Sequence, residues 1–131
     1  SVELPPSLPA LRLDPRLMRR ALTNIIENAL HAMPNDGALS VRVLQHGGHV
    51  QLVVADTGVG LEAEVLARIF EPYFSTKVTG TGLGMAIAKR NVELNGGTIQ
   101  VTSEPSQGTT VTLTLPLPEG TSEVESDAKP R

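Results

Sequence analysis

Hairpin patterns interleaved with helical ones predict a two-layer α/β sandwich. Its expected form is a mixed, mainly antiparallel sheet of about five strands, covered on one face by about three helices. Three observations lead there. Apolar, β-rich runs are paired around turn residues at 39–55 and at 98–115. Apolar residues recur at helical spacing over 16–33 and 83–94. Along the chain the order is strand, helix, hairpin, helix, loop, helix, hairpin, with no internal repeat.

Each element has local signals. Residues 10–14 (ALRLD) read as a short strand. Asp14 then offers a helix N-cap, and Pro15 suits the first helical position because its missing N–H would be unpaired there in any case. Met18, Leu22, Ile25, Ile26, Ala29 and Met33 supply the apolar stripe of the first helix, which residues 34–37 (PNDG) bring to a stop. Strands at 39–45 and 50–55 meet across His46, two glycines and His49, with both histidines expected on the surface. Residues 62–69 suggest a short helix, and 71–82, with Pro72, Gly80 and Gly82, an irregular loop. The helix predicted at 83–94 ends at Asn95, Gly96 and Gly97, and strands at 98–103 and 109–115 close the pattern. The expected organisation is a lead-in with first strand at 1–13, one domain at 14–118 and a disordered tail at 119–131, where little can be buried.

Composition narrows the function. The chain has 131 residues and a net charge of −3, which suits one domain and argues against a general nucleic-acid binder. It has no cysteine, so disulfides, thiolate metal sites and cysteine nucleophiles are excluded. No apolar run approaches the roughly 18 residues that cross a bilayer. The first residue is Ser1, followed by a Pro-rich segment, which reads as a piece of a longer protein. All three aromatic residues, Phe70, Tyr73 and Phe74, fall within five positions, which suggests a specialised loop.

Three segments could carry chemistry. Asn24, Asn28 and His31 stand at i, i+4 and i+7 on one stripe beside the apolar face of the first helix. Asn is a poor residue for a helix interior. Two solvated asparagines would give the same pattern, but amide oxygens there would also suit Mg²⁺, a hard cation that keeps water and phosphate oxygens. Residues 56–60 (DTGVG) end an apolar strand. The Asp is either the start of a tight turn or an acceptor for a purine amine, with Gly58 and Gly60 admitting backbone to a planar ring. Residues 80–84 (GTGLG) open a helix, where free N–H groups and the dipole favour phosphate. Met85 breaks the dinucleotide G-x-G-x-x-G spacing, and P-loop and protein-kinase landmarks are missing. Taken together the three segments describe a nucleotide pocket.

These residues, in this order, resemble the ATP-binding domain shared by histidine kinases, type II topoisomerases, Hsp90 chaperones and mismatch-repair ATPases (the GHKL superfamily). The resemblance runs from about 14 to 118. Residues 24–30 (NIIENAL) look like the N box, 56–61 (DTGVGL) the first glycine box, 69–76 (IFEPYFST) the F box and 80–88 (GTGLGMAIA) the second glycine box. Residues 96–99 and 108–116 are similar to the closing strands of sensor histidine kinases, and the short lid to that of nitrogen-regulation-type kinases.

The resemblance implies ATP and Mg²⁺ as cofactors, Asn28 as the Mg²⁺ ligand, and Asp56 as acceptor for the adenine amine with Thr109 supporting it through water. Residues 71–82 would form an ATP lid with Phe70 and Phe74 packing its base. Thr76, Gly80, Thr81, Gly82, Leu83 and Gly84 would line the phosphates, and Lys77 would be the one basic lid residue able to reach them. Residues 75–82 would become ordered when the γ-phosphate engages. ATPase members carry a water-activating Glu where this chain has Asn24, so Asn24, Asn28 and Lys77 point to phosphoryl transfer rather than hydrolysis. Where many members carry Lys and an aromatic residue, this chain has His31 and Ala32. His31 could still donate to a phosphate, whereas Ala32 removes a stacking ring, so affinity is expected in the ~10–100 μM range.

The implied protein is the catalytic domain of a two-component sensor histidine kinase. It would act in the cytoplasm, whether or not the parent is anchored to a membrane. Its partners would be a phosphoacceptor (dimerisation) domain of the same parent and a response-regulator receiver domain, with no nucleic acid, and the isolated chain would be monomeric. None of the three histidines stands in an H-E-x-x-x-P acceptor context, so the chain alone would autophosphorylate nothing. The alternatives are an anti-sigma-type serine kinase of the same fold and a degenerate, non-catalytic module that docks a response regulator.

Overall fold

The computed structural model describes residues 1–4, 11–74 and 83–118. The strands are β1 (Val2–Glu3), β2 (Leu39–His46), β3 (His49–Asp56), β4 (Thr98–Glu104) and β5 (Gly108–Pro116). The helices are α1 (Pro15–His31), α2 (Ala63–Leu66) and α3 (Gly84–Leu94). Strand order is β1-β2-β3-β5-β4, with β1 parallel to β2 and every other pairing antiparallel. The expected mixed, mainly antiparallel sheet with three helices is therefore observed among the described residues.

Helix α1 begins where its capping signals place it. Asp14 is extended (φ −82°, ψ 110°), and its Oδ1 accepts the N–H groups of Arg16 and Leu17 at 2.9 and 3.3 Å. Met18, Ala21, Ile25 and Ala29 then recur at three- and four-residue spacing and are buried. Helix α3 buries Met85, Ala88 and Val92 in the same core. It runs antiparallel to α1: Gly84 lies beside Asn24, Asn91 Nδ2 donates to the Leu17 carbonyl at 3.0 Å, and Asp14 N donates to Asn95 Oδ1 at 2.7 Å. Burial in β5 alternates, with Val111, Leu113 and Leu115 buried under the helices and Thr110, Thr112 and Thr114 on the opposite face only partly covered.

Two expectations need correction. Residues 11–14 form no strand, and the edge position beside β2 is taken by Val2–Glu3. Leu11 and Leu13 pack against the core without a ladder, and the Asp14 N–H is satisfied by the Asn95 side chain, so no strand partner is needed. The helix expected over 62–69 is only four residues long. Glu62 supplies no side-chain cap, and from Arg68 onward the N–H groups reach back three residues, which tightens the chain and turns Ile69 and Phe70 into the core. The tail at 119–131, residues 5–10 of the lead-in and most of the lid lie outside the described residues.

Leu113→Ala is expected to lower stability by about 2–5 kcal/mol, because this residue is fully buried between helices and sheet. Asn91→Ala, which removes the side-chain bond from α3 to the Leu17 carbonyl, should cost about 0.5–1.5 kcal/mol. Urea unfolding followed by circular dichroism reads both.

Candidate nucleotide site

The described parts of the three segments singled out in the sequence all touch α1, with Gly84 beside Asn24 and Val59 N bonded to the Ala32 carbonyl. Asn24 and Asn28 are half-buried on α1, and His31, in its last turn, is exposed. Asn24 Nδ2 is buried and has no hydrogen-bond partner. The start of α3 lies against the same side chain: a Cβ built on Gly84 would be 3.8 Å from Asn24 Cβ and Cγ and 3.9 Å from its Oδ1. A buried amide N–H with no acceptor costs about 1–3 kcal/mol, so an acceptor that reached it would be favoured. Leu83 precedes α3 and provides no side-chain cap.

Asp56 ends β3. Its Oδ1 accepts the N–H of Gly58 at 2.8 Å and of Thr109 at 3.2 Å, while its Oδ2 has no partner among the described residues. The turn that follows is clamped from both sides. Val59 N donates to the Ala32 carbonyl at 3.0 Å, and the Val59 carbonyl accepts Ser106 N at 2.7 Å. At Gly58 a Cβ would come within 2.4 Å of the Ala32 carbonyl oxygen. Gly60 has φ +72° and faces the Glu104 carbonyl so closely that any Cβ would overlap it. Ala32 thus lies under the glycine turn, as the place where α1 ends and the turn is tied down.

Ser103 joins this cluster from β4. Its Oγ accepts Leu61 N at 2.8 Å and contacts the Gly108 carbonyl at 3.0 Å and Thr109 Oγ1 at 2.8 Å. Asp56, Ser103 and Gly108 also line an open depression of about 440 Å³ walled by Leu66 and Val101. Ser103 was missed by the motif reading. Strand periodicity could have found it, since Ile99, Val101 and Ser103 share one face of β4 and the last is polar.

The aromatic segment is held by cations. Phe70 packs on the core with Lys89 Nζ 5.4 Å from its ring centre, and the Arg68 guanidinium lies 4.3 Å from the ring centre of Phe74. Arg68 also pairs with Glu71 at 3.0 Å. Tyr73, 79% exposed with φ +66°, points away. Thr76, Lys77, Gly80, Thr81 and Gly82 lie outside the described residues.

Among the described residues no three His, Cys, Asp or Glu side chains converge as a metal cage. An amide such as that of Asn28 fits a hard cation that draws its remaining ligands from phosphate and water, and Asp56 Oδ2 fits a purine amine.

A free carboxylate oxygen at a braced turn, two asparagines on the neighbouring helix and a second helix opening toward them define a nucleotide-binding domain of the histidine-kinase type. Residues 13–119 match the family of histidine kinase-, DNA gyrase B- and HSP90-like ATPases, and the chain belongs to that family. Within it the chain corresponds to the ATP-binding catalytic domain of sensor histidine kinases. It is 44% identical over 113 residues to sensor histidine kinase ZraS of Klebsiella oxytoca, matching 86% of this chain and 24% of that protein. The chain therefore spans about a quarter of the length of the curated relatives it matches. The mycobacterial sensor histidine kinase MprB superposes with a TM-score of 0.78 at 32% identity, covering 88% of this chain and 78% of that one. Full-length ShkA in complex with AMPPNP gives a TM-score of 0.74 at 32% identity, covering 88% of this chain and 25% of that one. No helix among the described residues is long and apolar enough to cross a membrane.

Gly60→Ala is expected to lose about 1–3 kcal/mol of stability, since it combines a left-handed backbone with overlap on the Glu104 carbonyl. Gly48→Ala, with nothing within 4 Å of the added carbon, is the comparison and should change stability by no more than about 0.5 kcal/mol. Thermal unfolding of the two variants tests the contrast.

Proposed function

We propose that this chain presents Mg-ATP to a phosphoacceptor histidine on a separate dimerisation domain of its parent protein, as the catalytic domain of a two-component sensor kinase. The observation that carries this reading is the Asp56 carboxylate. Two backbone N–H groups fix one oxygen, and the other is left open at the end of the sheet nearest Ala32, where α1 ends. A carboxylate oxygen so placed accepts the exocyclic amine of adenine. The AMPPNP bound to ShkA, which shares the fold, supports a nucleotide as the ligand.

In the proposed mechanism the Asn28 amide oxygen would help hold Mg²⁺, which would supply charge neutralisation for the phosphates of ATP. Asn24 Nδ2, buried without an acceptor, donates to a phosphate oxygen, and the first N–H groups of α3 receive phosphate as helix N-termini do. Lys77, Thr76 and the 80–82 segment would close over the phosphates, and Phe70 and Phe74 anchor the start of that lid on Lys89 and Arg68. An amide at position 24 takes no proton from water, which favours transfer over hydrolysis. The bond from the γ-phosphorus to the bridging oxygen would break, ADP would depart with the electron pair, a bond would form to the unprotonated imidazole nitrogen, and the proton on the other ring nitrogen would pass to solvent. The phosphoryl group would then move to a response-regulator receiver domain. A cytoplasmic, monomeric catalytic domain follows from the same reading.

Calorimetric titration with a non-hydrolysable ATP analogue should give a Kd of ~10–100 μM that depends on Mg²⁺. Asn28→Ala should abolish the Mg²⁺ dependence, and Asp56→Asn, which puts a donor or a weaker acceptor at the amine, should weaken binding at least about tenfold. No binding by the wild type would replace this reading with the docking module. With a phosphoacceptor domain and labelled ATP, the product should be acid-labile phosphohistidine. Acid-stable phosphoserine would instead favour the serine-kinase alternative.

A further inference from the structure

Asp56, Thr109 and Ser103 stand side by side on β3, β5 and β4, on the helix-covered face of the sheet. Thr109 N donates to Asp56 Oδ1, and the Thr109 hydroxyl lies 2.8 Å from Ser103 Oγ. Either hydroxyl could be the donor in that last contact. The other partners of Ser103 decide the question.

A serine hydroxyl has one proton and two lone pairs. Ser103 Oγ has three polar neighbours: Leu61 N–H, the Gly108 carbonyl and Thr109 Oγ1. Leu61 N–H can only donate, so it uses one lone pair. The Gly108 carbonyl can only accept, so at 3.0 Å it requires the single Ser103 proton. What remains at Ser103 is one lone pair, and the Thr109 hydroxyl must donate to it. The opposite arrangement would direct the Ser103 proton at Thr109 and leave two acceptor oxygens facing each other at Gly108. One assignment alone makes all three contacts hydrogen bonds.

We infer that Ser103 is a specificity-determining positioning residue: by taking the Thr109 proton it makes Thr109 an acceptor toward the nucleotide base. This rests on the proposed nucleotide site. Beside Asp56 Oδ2, itself an acceptor, the pocket edge then offers lone pairs and no side-chain proton. Such an edge accepts the 6-amino group of a purine and repels a 6-oxo group. Ser103 touches no base in this arrangement. It selects adenine by fixing the direction of a hydrogen bond one residue away.

The test compares ATP with inosine triphosphate, which differs in having a 6-oxo group and an N1 proton where ATP has the 6-amino group. Affinities of both are measured by calorimetry for the wild type, Ser103→Ala and Ser103→Thr. The wild type should prefer ATP. In Ser103→Ala the Thr109 proton is free to meet a 6-oxo oxygen, and the ATP-to-inosine preference should shrink about 3- to 10-fold. Ser103→Thr, which keeps the hydroxyl, should restore it. If Ser103→Ala does not fold by circular dichroism, Thr109→Val carries the test, and it should weaken ATP binding while leaving the inosine nucleotide unchanged. Proportional weakening of both nucleotides, or an unchanged ratio in all variants, overturns the inference and leaves the nucleotide site standing. A wild type that binds neither nucleotide overturns both.

Discussion

The carboxylate of Asp56 joins the parts of this molecule that must not move relative to one another. One of its oxygens receives an N–H from its own turn, at Gly58, and another from β5, at Thr109. The first bond shapes the glycine turn. The second ties that turn to a strand on the other side of β3. A carboxylate accepting two backbone donors loses its rotational freedom, so its second oxygen points in one direction. Recognition of a small planar base needs that kind of fixed acceptor, because a swinging carboxylate would spend binding energy on being ordered.

The rest of the structure keeps this junction in place. On its helix side, α1 ends at Ala32, whose carbonyl accepts Val59 N, and Gly58 allows the turn to come against it without a side chain between. Below it, Ser106 and Ser103 hold residues 59 and 61 from the β4–β5 hairpin. The antiparallel pair α1 and α3 is locked at its far end by Asn91 and by the Asp14–Asn95 bond, which brings Asn24 and Gly84 together at the near end. The core of Ile25, Ala88, Val92 and Leu113, almost free of solvent, makes the helices and sheet one rigid support. Among the described residues Asn24 Nδ2 and both polar atoms of the Gln45 amide are buried without a partner, and of these Asn24 belongs to the side chain that meets the start of α3.

The F-box segment depends on different forces. Phe70 is packed into the core, and Phe74 is held by Arg68 in partial exposure. The cation contact at Phe74 is individually weak, whereas Phe70 is held by core packing, so the segment is fixed at Phe70 and more loosely held at Phe74.

Much was legible in the amino-acid order because it depends on local chemistry. The Asp14 cap, the three- and four-residue spacing along α1 and α3, the alternation in β4 and β5 and the turn glycines are each decided within a few residues. So are the four motif segments, whose residue types and order point to the family. The tertiary structure alone decided what depends on neighbours distant in the chain. It put Val2–Glu3 rather than residues 11–14 on the sheet edge, because a ladder requires a partner and a side chain can replace it. It cut the helix after Glu62 to four residues, since burial of Ile69 and Phe70 outweighed helical propensity. It set Ala32 beneath the glycine turn and Ser103 against Leu61, 42 residues away. Local periodicity carries no information about which strand meets which, and hydrogen-bond direction at Thr109 follows only once those strands are side by side.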